Sequence, residues 1–229
     1  MLSVLVPCFD EAEGLPRLEA ELFPALGALK TPWEALFVDD GSTDGTGAGL
    51  AALASRRPGV RVLSHGENRG IGASLQTGLA EAHGDWLVFL DADLTFHPSF
   101  ITVLLEERER TAADCVSGSP VLGGMAEVPL GRRLPSLALN TFYRGLFDSH
   151  LTSYTPMFRL YRTADLRSLK VASAGFEVSV EALVGLLRAG KKVVEVPVPL
   201  ASRTSGASKL RRWRELKAHL TLALRLLSE

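Results

Sequence analysis

WLVFLDADLTFHP, Trp86 to Pro98, decides how the chain is read. Its apolar run predicts a buried strand, and the run ends in two carboxylates, Asp91 and Asp93, separated only by Ala92. In an open α/β sheet, ligands sit beyond the carboxyl ends of the strands. Two carboxylates held this close repel each other unless a cation lies between them, and a hard divalent ion with oxygen ligands suits that position. The segment points to Mg²⁺ or Mn²⁺ carrying phosphate groups, although D-x-D by itself also suits a solvated turn.

Working outward, LSVLVP (2–7), EALFVDD (34–40) and VRVLSH (60–65) predict strands. Between them, LPRLEAELFPALGAL (15–29), GTGAGLAALASRR (45–57) and IGASLQTGLAEAH (71–83) carry helical apolar spacing. The order βαβαβαβ implies a mainly parallel sheet covered by helices on both faces. Acids gather where the strands end: Asp10 and Glu11 after the first, Asp39 and Asp40 after the second, Asp91 and Asp93 after the fourth. Crowded acids need partners, so this edge reads as a polar, metal-assisted site.

Composition narrows the class. A chain of 229 residues with 46% hydrophobic residues can form one large domain with a substantial core, or at most a domain plus a small appendage. With 25 basic against 26 acidic side chains, bulk charge argues against a nucleic-acid binder. Cys8 and Cys115 are too few for a disulfide framework or a zinc site, which points to a reducing compartment. There is no basic leader and no run approaching the roughly 18 apolar residues of a membrane span. The expectation is a cytoplasmic protein, soluble or peripheral on the cytoplasmic face of a membrane. Neither G-x-G-x-x-G after the first strand nor G-x-x-x-x-G-K-[ST] is present, so dinucleotide-fold and P-loop readings fall away. DDGSTDGT, Asp39 to Thr46, reads as a turn with a helix cap from Ser42, Thr43 or Asp44, which leaves Asp39 unexplained.

PCFDEAEGL (7–15), VDDGSTDGT (38–46), ENRGIGASLQTGLAEAHGDWLVFLDADL (67–94), GFEVSVEAL (175–183) and VVEVPVPLASRTSGASKL (193–210) together resemble family 2 glycosyltransferases of GT-A fold. The resemblance is to the polyprenyl-phosphate (dolichol-phosphate) mannose or glucose synthase group and runs from Ser3 to about Leu210. It implies an α/β domain over residues 1–210, a mainly parallel mixed sheet flanked by helices, followed by a basic amphipathic helix over 211–229. Pro7, Phe9 and Glu11 would border the nucleotide base and ribose, with Phe9 where tyrosine is usual and Asp10 where asparagine is usual. Asp39 would bind the base or ribose, while Asp40 holds the loop. Asp91, Ala92 and Asp93 would contact the sugar nucleotide. Asp93 would hold the metal directly, and Asp91 the sugar nucleotide or a metal-bound water. Thr95 stands where a metal-reaching glutamine is expected, and DLTFHP is one residue longer before its proline than DLQHP.

For the second half, SGSPVLGGMAEVPLGRRLP (117–135) reads as a mobile loop before a helix from about Pro135 to Phe147. TSYTPMFRLYRT (152–163) resembles the T-S-G-F-R-x-Y-R-R segment beneath the acceptor site, which implies acceptor roles for Arg159 and Arg162, with Pro156 and Met157 replacing serine and glycine. Glu181 would face the acceptor pocket, or share a surface or capping role with Glu177. Arg203, Ser208 and Lys209 match R-x-x-G-x-S-K. Cations there would neutralise the departing diphosphate, with Ser208 near the acceptor. KLRRW only partly mimics the Q-x-x-R-W of processive synthases, since Lys209 replaces the glutamine.

Trp213, Leu216, Leu220, Leu224 and Leu227 recur at spacings of three and four, with Arg211, Arg212, Arg214, Lys217 and Arg225 on other faces. Such a helix either packs on the domain or meets an anionic bilayer. The combined expectation is inverting, metal-dependent transfer of a hexose from a GDP- or UDP-sugar to a polyprenyl phosphate, with Asp93, Arg203 and Lys209 as the catalytic groups. Transfer to a hydroxyl of a saccharide or small molecule is the alternative and needs a base such as Glu181. A non-catalytic sugar-nucleotide-binding module is disfavoured by the intact D-x-D and R-x-x-G-x-S-K.

Overall fold

Three βα units arise where continuous apolar runs alternate with amphipathic stretches. In the computed structural model, which describes residues 1–126, 128–147, 150–201 and 212–228, these give β1 (Leu2–Cys8), α1 (Leu15–Gly27), β2 (Trp33–Asp40), α2 (Thr46–Arg56), β3 (Val60–His65), α3 (Ile71–Glu81) and β4 (Trp86–Phe89). The strands pair in parallel, with Leu5 opposite Leu36 and Phe89, and Asp40 opposite His65. Parallel alignment ends all four strands at one edge. The acids that follow β1 and β4 and those that end β2 therefore gather there, as expected.

Alternation along the strands sorts two cores. Val4, Val6, Ala35, Phe37 and Val88 pack with α1 and α2, while Leu5, Leu36, Val38, Leu87 and Phe89 pack with α3. Burial on both faces explains why these strands read as unbroken apolar runs.

The chain continues through α4 (Phe100–Thr111), β5 (Cys115–Ser119), α5 (Pro120–Gly123), α6 (Leu130–Leu146), β6 (Arg159–Arg162), α7 (Thr163–Ser168), α8 (Val178–Arg188), β7 (Val193–Pro197) and α9 (Arg212–Ser228). Among the described residues the sheet has seven strands in the order β3-β2-β1-β4-β6-β5-β7, with β6 antiparallel to both neighbours. Two expectations need correction. Residues 117–119 belong to β5, and α6 begins at Leu130 with Pro135 inside it. A proline there forgoes one backbone bond, to Gly131, and the buried seam around Tyr143 outweighs that loss.

Beyond the sheet a third core forms. Tyr143 and Tyr154 meet Val180, Leu183 and Val184 of α8 and Leu222, Ala223 and Leu226 of α9. Tyr143 Oη donates to the His219 carbonyl at 3.0 Å, tying α6 to α9. The leucine row picked out by spacing in α9 is the other one: Leu216, Leu220, Leu224 and Leu227 are exposed.

Candidate active site

Two loops knit the acidic edge together. In the β1–α1 loop, Asp10 N–H donates to Ser42 Oγ at 2.9 Å, Glu11 N–H to Thr46 Oγ1 at 2.8 Å and Ala12 N–H to Asp44 Oδ2 at 3.0 Å. In return Asp10 Oδ1 accepts from Thr43 N–H at 2.8 Å. Asp44 also takes the Thr46 amide at the start of α2, at 3.0 Å. Burial works to raise the Asp44 pKa, and the hydrogen bonds from Thr46 and Ala12 outweigh it and hold the carboxyl below its usual range. Pro7, Phe9 and Glu11 lie half-buried along the same edge.

Asp39 and Asp40 do different work although they are adjacent. Asp39 Oδ1 accepts from Ser42 N–H at 3.1 Å, and a Cβ on Gly47 would lie only 2.6 Å from Asp39 Oδ2. Glycine at 47 thus leaves that oxygen room. Asp40 is consumed structurally: it accepts from His65 Nδ1 at 2.7 Å and from the Arg69 and Gly70 amides at 2.9 Å each. It holds the loop, as expected.

β4 stops at Phe89, and Asp91, Ala92 and Asp93 form the turn beyond it. The Asp91 carbonyl accepts from Leu94 N–H at 3.1 Å, and Asp93 Oδ1 accepts from Thr95 N–H at 3.0 Å. Leu94 has φ 54° and Asp10 has φ 47°, left-handed values that a side chain disfavours. Strained backbone of this kind concentrates at functional sites. The Cys8 thiol, at the end of β1, is pushed up by burial first and then by Glu11 and Asp39. The edge is therefore electronegative and suited to a cation. Among the described residues no group of three or more His, Cys, Asp or Glu is placed to hold an ion. The two D-x-D carboxylates fit one that takes its remaining oxygen ligands from substrate phosphates and water.

After β7 the chain crosses this turn. Leu200 N–H donates to the Gly124 carbonyl and Ala201 N–H to the Thr95 carbonyl, each at 3.0 Å. Arg203, Ser208 and Lys209 follow immediately and lie outside the described residues, as does Arg211.

Three acceptor expectations are corrected by placement. Arg159 is fully buried. Its Nε donates to Ser117 Oγ at 2.9 Å, Nη1 to the Ser179 carbonyl at 2.7 Å, and Nη2 to the Tyr154 and Ser153 carbonyls at 2.5 and 3.4 Å. It is an internal tie between β5, β6 and α8. Arg162 lies opposite Trp86, the first residue of β4, and pairs with Asp114 at 3.1 Å. At about 3.3 Å per residue that is roughly 16 Å from the D-x-D turn, at the opposite edge. Glu181 is 7% exposed, accepts from the Ala172 and Ser173 amides at 3.1 and 2.8 Å, and is paired with Arg225 of α9. A neighbouring cavity of about 280 Å³ is lined by Ser173, Glu177 and Arg225, among others, and not by Glu181.

Sequence reading missed His65, the side-chain partner that fixes Asp40. The signal was available: the last residue of VRVLSH falls on the same rung as the last residue of EALFVDD. It also missed the backbone link between Thr95 and Ala201, which no residue type announces.

Residues 3–169 match glycosyl transferase family 2. Over 214 residues the chain is 33% identical to an undecaprenyl-phosphate mannosyltransferase of Micrococcus luteus, covering 90% of this chain and 86% of that one. Over 215 residues it is 31% identical to a dolichol-phosphate mannosyltransferase of Pyrococcus furiosus, covering 92% of this chain and 59% of the relative. A crystal structure of glucosyl-3-phosphoglycerate synthase from Mycobacterium tuberculosis, solved with Mn²⁺, UDP and glucosyl-3-phosphoglycerate, superposes with a TM-score of 0.71 at 21% identity, covering 99% of this chain and 78% of that chain. The chain thus belongs to glycosyl transferase family 2 and is a glycosyltransferase of GT-A fold.

Proposed function

We propose that the enzyme moves one hexose from a GDP- or UDP-sugar to a polyprenyl phosphate by a single inverting displacement that requires Mg²⁺ or Mn²⁺. The observation that carries this reading is the bond from Ala201 to Thr95, which ties the chain entering the R-x-x-G-x-S-K segment to the D-x-D turn. Relatives at about this similarity act, by name, on undecaprenyl and dolichol phosphates.

Pro7, Phe9, Glu11 and Asp39 hold the nucleoside end in this reading, and Asp91 and Asp93 the ion. A bound ion supplies charge neutralisation of the diphosphate. In the same reading Arg203 and Lys209 would donate to the phosphate oxygens of the leaving group, and Ser208 would serve the acceptor. The acceptor phosphate, with a second pKa of about 6, is already anionic at neutral pH and needs no protein base. That matters because Glu181, the candidate base for a hydroxyl acceptor, is engaged by Arg225 and two amides. The structure therefore favours a phosphate nucleophile over a hydroxyl.

A bilayer contact fits the same reading. Leu216, Leu220, Leu224 and Leu227 of α9 are 44, 48, 70 and 57% exposed, and Leu130, Leu134 and Phe142 of adjoining α6 are 67, 61 and 39% exposed. The sequence of α6 holds three arginines and no acid; that of α9 holds four basic residues and one acid, Glu215. Apolar rows beside basic residues suit a peripheral helix at an anionic surface. Among the described residues no helix is long and apolar enough to cross a membrane.

The test is a thermal-shift screen of sugar nucleotides with and without Mn²⁺, followed by detection of lipid-linked product. A ligand that prefers the folded state raises the melting temperature by mass action. Manganese-independent binding, or product only on hydroxyl acceptors, would sink the proposal.

A further inference from the structure

We propose that His65 is a positioning residue for donor binding: through Asp40 it sets the turn 66–70 that walls the nucleotide end of the site. The proposal rests on the reading that the Asp39 edge holds the nucleotide.

His65 is the last residue of β3 and pairs in register with Asp40, the last residue of β2. Their side chains are 4% and 5% exposed. The imidazole is held at both nitrogens, Nδ1 at 2.7 Å from Asp40 Oδ1 and Nε2 at 2.9 Å from Thr77 Oγ1 on α3. An ionised carboxylate can only accept, so Nδ1 carries the proton and the ring has one orientation. A packed strand and a packed helix thus fix the direction of the Asp40 carboxylate.

That carboxylate in turn holds the turn. Oδ1 takes the Arg69 amide and Oδ2 the Gly70 amide. Gly70 has φ 90° and ψ 164°, backbone that only glycine occupies readily. The turn also lies hard against the residue after Asp40: a Cβ on Gly41 would be 2.3 Å from the Glu67 carbonyl carbon. The turn is therefore bonded to Asp40 and packed on Gly41, the two residues that follow Asp39. Removing the imidazole takes from Asp40 its buried side-chain donor and leaves a void beside Thr77. The carboxylate is then free to rotate, and the two amide bonds that place the turn loosen. The chemistry at Asp91 and Asp93, in the turn beyond β4, is untouched. The effect belongs in donor affinity, not turnover.

The experiment compares wild type with His65→Ala, His65→Asn, His65→Gln and Asp39→Asn. It measures binding of UDP and GDP by calorimetry and steady-state kinetics with the preferred sugar nucleotide. For His65→Ala the donor KM and the nucleotide Kd rise about tenfold, the effect of losing a hydrogen bond to a charged group, while kcat stays within about twofold. Asparagine, whose amide N–H can stand where Nδ1–H does, restores affinity. Glutamine, whose amide reaches the Nε2 position instead, does not. Unchanged donor affinity in folded His65→Ala, or a fall in kcat alone, overturns the proposal. If the alanine variant does not fold, equal affinity of the asparagine and glutamine variants overturns it instead. Asp39→Asn separates the two readings. If it leaves nucleotide binding intact, the assignment of this edge fails; if it weakens binding while His65→Ala does not, only the role of His65 fails.

Discussion

Arg159→Ala removes a guanidinium that is wholly inside the protein and bonded to Ser117 Oγ and the carbonyls of Ser153, Tyr154 and Ser179. The loss is structural in origin: buried acceptors lose their donor, and a large cavity opens between β5, β6 and α8. Breaking such a buried network costs about 3–5 kcal/mol. For a domain of this size each kcal/mol lowers the melting temperature by about 2–4 °C, so thermal denaturation followed by circular dichroism should show a fall of roughly 6–20 °C. Arg159→Lys keeps the charge but not the planar fork, and should also melt well below wild type. Arg162→Gln is the contrast. Its side chain is 47% exposed, and its partners Asp114 and Asp165 keep other donors in the Lys192 amide and Lys191 Nζ, so the change should cost about 1 kcal/mol and leave transfer intact. An Arg159→Ala protein that melts within about 2 °C of wild type yet fails only in acceptor use would refute this reasoning and return Arg159 to the acceptor site.

Asp93→Asn should abolish metal-dependent transfer without lowering the melting temperature, since it removes one of two mutually repelling charges; near-normal turnover at saturating Mn²⁺ would take Asp93 out of the ion site. Replacing Leu216, Leu220 and Leu224 with serine should weaken cosedimentation with anionic vesicles about a hundredfold, at about 1 kcal/mol for each half-exposed leucine, while nucleotide binding holds. Unchanged vesicle binding would show that this row is not the docking face. Neither cysteine should react with iodoacetamide at pH 8 until urea unfolds the chain, because burial pushes the Cys115 thiol up to about 12 against the opposing pull of Arg159, and raises Cys8 further. Rapid labelling of the native protein would mean that the sheet core opens.

What could be read from the sequence followed from burial on two sides. The strands of the first half are apolar runs closed by turn signals, so their succession along the chain, their parallel direction and the shared acidic edge were legible in the sequence, whereas their order across the sheet was not. Arg159 and Arg162 were misread for a reason equally present in the sequence. Three residues apart on a strand, they point to opposite faces, and no single pocket takes both; motif likeness had overridden the period. The start of α6 was hidden by Pro135, whose local cost is outweighed by a seam of contacts that sequence order does not display. In α9 two apolar rows coexist, 216-220-224-227 and 222-223-226. Spacing picked out the first, and only packing against α6 and α8 shows that the second is inside.

That pair of rows also removes a conflict between the domain and a bilayer. A helix with one apolar face must choose between packing and docking. α9 need not, because Leu222, Ala223 and Leu226 are buried against the domain while Leu216, Leu220, Leu224 and Leu227 remain exposed. Arg225 strengthens the inner attachment by clasping Glu181, whose carboxylate also holds the Ala172 and Ser173 amides. The next residue, Ala174, accepts the Gly72 amide at 2.9 Å at the start of α3, which grows from the turn beside Asp40. If α9 meets lipid as proposed, that surface is joined by direct contacts to the edge proposed to carry the donor site. Docking would then place the site against the membrane without unfolding any part of it.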